Sequence, residues 1–144
     1  MREVHIRRGR VAGVTVICTG GSGIPRVRQA DGSMAGIEAV VEGRASALLA
    51  TGLATDVLLL LTDVDAAYLD FGTPQARAIV RADPQSLQAR QFEFRAGSMA
   101  PKIEGAITLV AATGHLAGIG RLEDAGAILA GTAGTLVDRR ADRI

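Results

Sequence analysis

The sequence predicts an α/β domain of three layers, with a mainly parallel sheet and helices on both of its faces. Three observations predict it. Two short, continuous apolar runs, Val14–Thr19 and Val57–Leu61, are closed by glycine or polar residues, as in strands covered on both sides. Helical stretches separate these runs and recur after them, the order that favours parallel crossovers. Glycine is abundant, at 18 of 144 residues, while aromatics make up only 3%, which suits many tight backbone turns.

The elements follow in order. Arg2, Arg7, Arg8 and Arg10 precede the first apolar run, as in a signal peptide, but Gly13 and Thr15 interrupt it. No small-x-small cleavage site follows, so Val14–Thr19 reads as the first strand. Ala45–Leu53, rich in Ala and Leu, reads as a helix. Val57–Leu61 is the second buried strand, ended by Thr62-Asp63. Ala76–Arg81 and Leu87–Gln91 read as separate helical pieces on either side of Pro84. Met99–Ala112 is the clearest helix, with Met99, Ile103, Ala106, Ile107, Val110 and Ala111 on one stripe. Gly118–Ile119 is a short strand, Leu122–Leu129 a helix stopped near Gly131, and Thr135–Asp138 the last strand. Residues 1–144 read as a single domain, without repeat or linker. No segment approaches the ~20 apolar residues of a membrane span.

Composition narrows the function. Charge is nearly balanced, with 16 basic and 15 acidic residues. No basic stripe interleaved with aromatics appears, which excludes a polymeric nucleic acid as the expected partner. Cys18 is the only cysteine, so no disulfide can form within the chain, and a reducing cytoplasm is the natural setting. Its place inside an apolar run makes it a buried structural thiol. His5 and His115 have no ligand or triad partner at a useful spacing. Lys102 is the only lysine.

Three stretches could carry chemistry. Gly20-Gly21-Ser22-Gly23-Ile24-Pro25 directly follows the first strand, where backbone N–H groups can line an anion site. It lacks the third glycine of a dinucleotide fingerprint and the Gly-Lys-Ser/Thr of a Walker loop. Its bland alternative is a plain glycine turn. Thr62-Asp63-Val64-Asp65 closes the second strand, where carboxylates and a hydroxyl could meet a ribose, a base edge or a magnesium-bound phosphate. The alternative there is a solvated turn. Gly97-Ser98-Met99-Ala100-Pro101-Lys102 opens the best helix, with Ser98 as N-cap and Pro101 in the first turn. Free N–H groups at a helix start attract phosphate, and a bound polyphosphate would explain a lysine at the end that repels cations.

Taken together, these stretches resemble the amino acid kinase family, and most closely its carbamate kinases. Thr15–Pro25 is similar to that family's strand and Gly-Gly-Gly-Gly-Ile-Pro loop, with Ser22 for one glycine. Gly36-Ile37-Glu38-Ala39-Val40-Val41 resembles Gly-Val-Glu-Ala-Val-Ile. Leu61–Asp65, Tyr68 and Phe71-Gly72 resemble its nucleotide-side strand end. Gly97–Glu104 resembles Gly-Ser-Met-x-Pro-Lys-Val/Ile-Glu, and Gly134-Thr135 the closing Gly-Thr. The resemblance runs over roughly residues 6–138.

The resemblance implies reversible phosphoryl transfer between ADP and carbamoyl phosphate, with ATP or ADP as substrate and Mg2+ carried on the nucleotide phosphates. No protein metal site is expected. Thr62, Asp63, Asp65 and Tyr68 would lie near the nucleoside. Gly97, Ser98, Met99 and Lys102 would serve the phosphates, Lys102 as the catalytic lysine. Gly20, Gly21, Ser22 and Gly23 would face the transferred phosphoryl group and its acceptor, carbamate or carbamoyl phosphate. A homo-oligomer is implied too. Family members are about twice this length, so the chain resembles only their C-terminal, nucleotide-binding half and would need a partner supplying the N-terminal half. Glu42-Gly43-Arg44 replaces the family's Asp-Lys-Asp, and Arg44 cannot act as an anion. Thr73 stands where lysine is usual. Two alternatives stay open: a non-catalytic nucleotide-binding remnant or regulator, and an acyl-phosphate-forming kinase with another acceptor.

Overall fold

The computed structural model describes residues 12–16, 26–36, 42–94, 98–142 and 144. The first described elements are a small antiparallel hairpin, β1 (Arg26–Arg28) and β2 (Met34–Gly36), followed by helix α1 (Glu42–Leu53) and strand β3 (Val57–Leu61). A second hairpin, β4 (Ala67–Leu69) with β5 (Arg77–Ile79), leads into β6 (Arg81–Ala82) and helix α2 (Pro84–Ala89). A 3-10 turn at Gln91–Phe94 precedes α3 (Met99–Thr113), β7 (Leu116–Gly120), α4 (Ala125–Leu129) and β8 (Thr135–Val137).

The sheet has the order β3-β7-β8-β6. β3 and β7 run parallel, as do β6 and β8, while β7 and β8 are antiparallel. Side chains alternate across β7, and this decides what covers each face. Ala117 and Ile119 join the main core with Ile103, Ala106 and Val110 of α3. Those α3 positions are three or four residues apart, so one helical stripe is buried against the sheet. α1 packs mainly on α3 through its own buried Ala47 and Ala50. Gly118 and Gly120 face the other way, toward Ile128 of α4. A Cβ on Gly118 would stand 2.5 Å from the Ile128 Cγ2, so glycine there is what lets the short helix sit close.

Helix ends are held by specific partners. Asp83 Oδ1 accepts from the N–H groups of Gln85 and Ser86 at 2.9 and 3.1 Å, and Pro84 fills the first turn of α2. α3 stops at Gly114, whose φ of 74° is left-handed. The Arg139 guanidinium donates to the Val110 and Ala111 carbonyls, closing that end. The His115 Nδ1 meets the Thr55 carbonyl at 2.6 Å and ties the start of β7 to the turn before β3.

Four expectations change. Ala76–Arg81 is extended, not helical: β5 pairs with β4 and β6 with β8. Local apolar content cannot distinguish a helix from a strand there, and the pairing partners decide. The helix expected at Leu87–Gln91 begins earlier, at Pro84, because Asp83 caps it, and passes into the 3-10 turn. Only Ala125–Leu129 of the expected Leu122–Leu129 helix forms, and Leu122 is exposed. Residues 14–16 of the expected first strand are exposed and unpaired in the described sheets, while 17–19 lie outside the described residues. Cys18, His5 and the loop Gly20–Gly23 also lie outside them. Among the described residues no helix is long and apolar enough to cross a membrane.

Candidate functional site

The site forms where β3 ends and α3 begins. The Thr62 N–H donates to the Gly120 carbonyl at 2.9 Å, carrying the β3–β7 pairing one residue past the strand. The chain then turns across the sheet end. A Cβ on Gly120 would lie 2.9 Å from the Asp65 carbonyl, so this crossing needs glycine beneath it. Along the turn, Thr62 and Val64 are half-buried while Asp63 and Asp65 are exposed.

The β4–β5 hairpin stands beside this turn. Thr135, fully buried, accepts from the Ala67 N–H at 2.9 Å and donates to the Ile79 carbonyl at 2.5 Å. One hydroxyl thus fastens both strands of the hairpin to β8. The hairpin carries Tyr68, whose hydroxyl donates to the Asp65 carboxylate at 3.0 and 3.1 Å. That hydrogen bond, more than burial, raises the Tyr68 pKa above its ordinary value. The ring of Phe71 lies 5.9 Å from that of Tyr68, tilted by 56°.

These elements enclose a cleft of about 340 Å³. Thr62, Asp63, Val64 and Ala66 line it from the strand end, and Tyr68 and Phe71 from the hairpin. Glu93 and Phe94 close it from the 3-10 turn, and Ser98 and Met99 from the start of α3. Ser98 holds the N-cap position, but its φ and ψ of −82° and −2° are helix-like and its side chain makes no cap bond. Lys102 does not line the cleft. Its Nζ donates to the Ser98 carbonyl at 3.2 Å, which anchors the amine at the cleft's rim. A larger recess of about 510 Å³ opens by Val80, Arg81, Leu129 and Arg140, and neither the strand-end nor the helix-start motif reaches it.

Of the residues singled out from the sequence, Thr62, Asp63, Tyr68, Ser98 and Met99 therefore converge on one cleft. Asp65 stands behind it as the partner of Tyr68. Gly97 lies outside the described residues. Glu93 and Phe94 were not foreseen as site residues, since nothing in a local pattern says that a short turn before α3 folds over the end of β3. Arg44, the departure from the family pattern, pairs with Glu104 of α3 at 2.8 Å. Both are partly exposed, so the pair adds little stability. Among the described residues no group of three or more His, Cys, Asp or Glu side chains could hold a metal ion.

The sequence profile of the amino acid kinase family matches residues 6–119. The chain belongs to the amino acid kinase family. Its relatives within that family include the carbamate kinase of Rhizobium meliloti (strain 1021), 42% identical over 128 residues, covering 87% of this chain and 39% of that protein. The carbamate kinase of Haemophilus influenzae is 39% identical over 133 residues, covering 92% of this chain and 42% of that one. The solved carbamate kinase from Giardia lamblia bound to AMP-PNP superposes with a TM-score of 0.86 at 33% identity, over 96% of this chain and 50% of that one. UMP kinase from Bacillus anthracis, at 14% identity and a TM-score of 0.65, shares the fold. The chain spans about two fifths of the length of these curated relatives, between 39% and 42%. The mixed sheet with helices on both faces is an architecture that the chain shares with its structural neighbours.

Proposed function

We propose that this chain is the nucleotide-binding half of a carbamate kinase-like phosphotransferase, acting in reversible phosphoryl transfer between ADP and carbamoyl phosphate. One observation carries the reading: the strand-end residues Thr62, Asp63 and Tyr68 meet the helix-start residues Ser98 and Met99 in a single cleft. A strand's C-terminal end facing a helix N-terminus is where α/β folds hold nucleotides. The similarity to a carbamate kinase bound to AMP-PNP supports the same reading.

The nucleoside lies along Thr62, Asp63 and Tyr68, with Asp65 orienting the Tyr68 hydroxyl. The phosphates lie toward Ser98, Met99 and Gly97, within reach of Lys102. In the direction of ATP synthesis, a terminal oxygen of ADP attacks the phosphorus of carbamoyl phosphate, the bond to the carbamoyl oxygen breaks, and carbamate leaves. Lys102 and the first N–H groups of α3 stabilise the charge that spreads over the moving phosphoryl oxygens. Magnesium arrives with the nucleotide. Gly20, Gly21, Ser22 and Gly23 serve the transferred group and acceptor. Residues 1–144 act as one domain in a cytoplasmic homo-oligomer, and the N-terminal half of the site comes from outside residues 1–144.

Calorimetric titration with ADP–magnesium tests the first half of this reading. Binding at or below millimolar ADP is expected, and its absence would overturn nucleotide binding altogether. ATP formation from carbamoyl phosphate is then measured for the chain alone and with a carbamate kinase N-terminal half added. The expected result is activity that needs the added half. ADP binding with no turnover in either arm would favour a non-catalytic nucleotide-binding module.

A further inference from the structure

Glu93 is the feature of the cleft that the nucleotide reading does not yet use. Its side chain is only 18% exposed, an unusual setting for a carboxylate beside aromatic residues. Oε1 accepts from the Arg90 guanidinium at 3.2 Å. Among the described residues Oε2 has no hydrogen-bond partner. Oε2 therefore remains as an acceptor for a ligand in the cleft that Glu93 lines.

A nucleotide has few donors to offer. Its phosphates are anions and are repelled by Glu93, which places them at the other side of the cleft with Lys102 and the start of α3. Asp63, at the C-terminal end of β3, occupies the position from which an acidic side chain meets ribose hydroxyls. The remaining donor is an exocyclic amine of the base. Phe94, adjacent to Glu93 in the chain, and Phe71 across the cleft give a flat base apolar surface to lie against.

We propose that Glu93 is a specificity-determining residue that accepts a hydrogen bond from the exocyclic amine of the bound nucleobase, selecting an aminopurine nucleotide. This rests on the nucleotide-binding reading of the same cleft. Arg90 holds one carboxylate oxygen, which leaves the second to meet the ligand.

The test compares ADP with purine riboside diphosphate, which lacks only the 6-amino group, by calorimetry on the wild-type chain, Glu93→Ala and Glu93→Gln. A single hydrogen bond to a charged acceptor is worth roughly tenfold in affinity or more. Wild type is expected to prefer ADP about tenfold. Glu93→Ala should bring the two ligands within about twofold, and Glu93→Gln, which keeps a neutral acceptor, should fall between. If Glu93 only braced the 3-10 turn, its loss would weaken both ligands in equal proportion and leave the preference intact. That result, or equal binding of both ligands by wild type, overturns the proposal while nucleotide binding stands. Wild type binding neither ligand overturns the nucleotide reading and this inference with it.

Discussion

Replacing Thr135 by valine keeps the shape of the side chain and removes its hydroxyl. In the folded protein that hydroxyl is fully buried and satisfies two backbone groups, the Ala67 N–H at 2.9 Å and the Ile79 carbonyl at 2.5 Å. Ala67 begins β4 and Ile79 ends β5, so both groups lie at the open end of the hairpin, and valine strands a buried donor and a buried acceptor at once. Each orphaned group costs about 1–3 kcal/mol. The sum is about 2–6 kcal/mol, a large part of the roughly 5–15 kcal/mol that holds a typical domain. Urea unfolding followed by circular dichroism reads this directly. With a slope of about 2 kcal/mol per molar urea, the midpoint should fall by about 1–3 M. Thr135→Ser keeps both bonds and should lose only about 1 kcal/mol, for one buried methyl group. A valine variant within about 0.5 kcal/mol of wild type, or a serine variant as unstable as valine, would refute the staple.

Other expectations follow from the same geometry. Gly134→Ala would place a Cβ 2.6 Å from the Ile119 carbonyl oxygen at a residue whose φ is +67°. Strain and overpacking together should cost about 2–4 kcal/mol in thermal or urea unfolding, and a neutral result would mean that the turn before β8 yields easily. Lys102→Ala should weaken ADP about tenfold while leaving adenosine within about twofold, read by calorimetry. Equal loss for both ligands would remove Lys102 from the phosphates. Tyr68 is the only tyrosine, so near-ultraviolet absorbance can follow its phenol alone. Its pKa is raised above 10.0, chiefly by the hydrogen bond to Asp65, and Asp65→Asn should bring it back down. With a raised folded-state pKa, the stabilisation is complete below the unfolded value and disappears as pH rises through the folded one. A wild-type phenol titrating at its ordinary value would disprove that bond.

The candidate site was legible to the extent that it depends on chain ends and local patterns. The apolar run Val57–Leu61 closed by Thr62-Asp63, and the stripe on Met99–Thr113 opened by Ser98 and Pro101, each mark their own boundaries. A strand end and a helix start are also where ligand chemistry collects, so each motif stood out by itself, and the resemblance to the amino acid kinase family set both beside one nucleotide. Arg77–Ala82 was not legible in the same way. Arg77–Ile79 pairs with Ala67–Leu69 across a short loop, but Arg81–Ala82 pairs with Leu136–Val137 far along the chain, and a short segment takes extended form only when those edges are supplied.

The sequence by itself determined the α/β class, the strand-end and helix-start motifs, and the membership of the amino acid kinase family that those motifs carry. Each is written in contiguous residues whose spacing dictates local backbone and local chemistry. Only the tertiary structure decided that Thr135 fastens the Tyr68 hairpin, that Gly120 lets the Thr62–Ala66 turn cross beneath the cleft, and that Glu93 and Phe94 form its far wall. Those arrangements depend on which faces pack together and how closely. Close packing across a sheet is a property of residues brought together from distant parts of the chain, which no local pattern records.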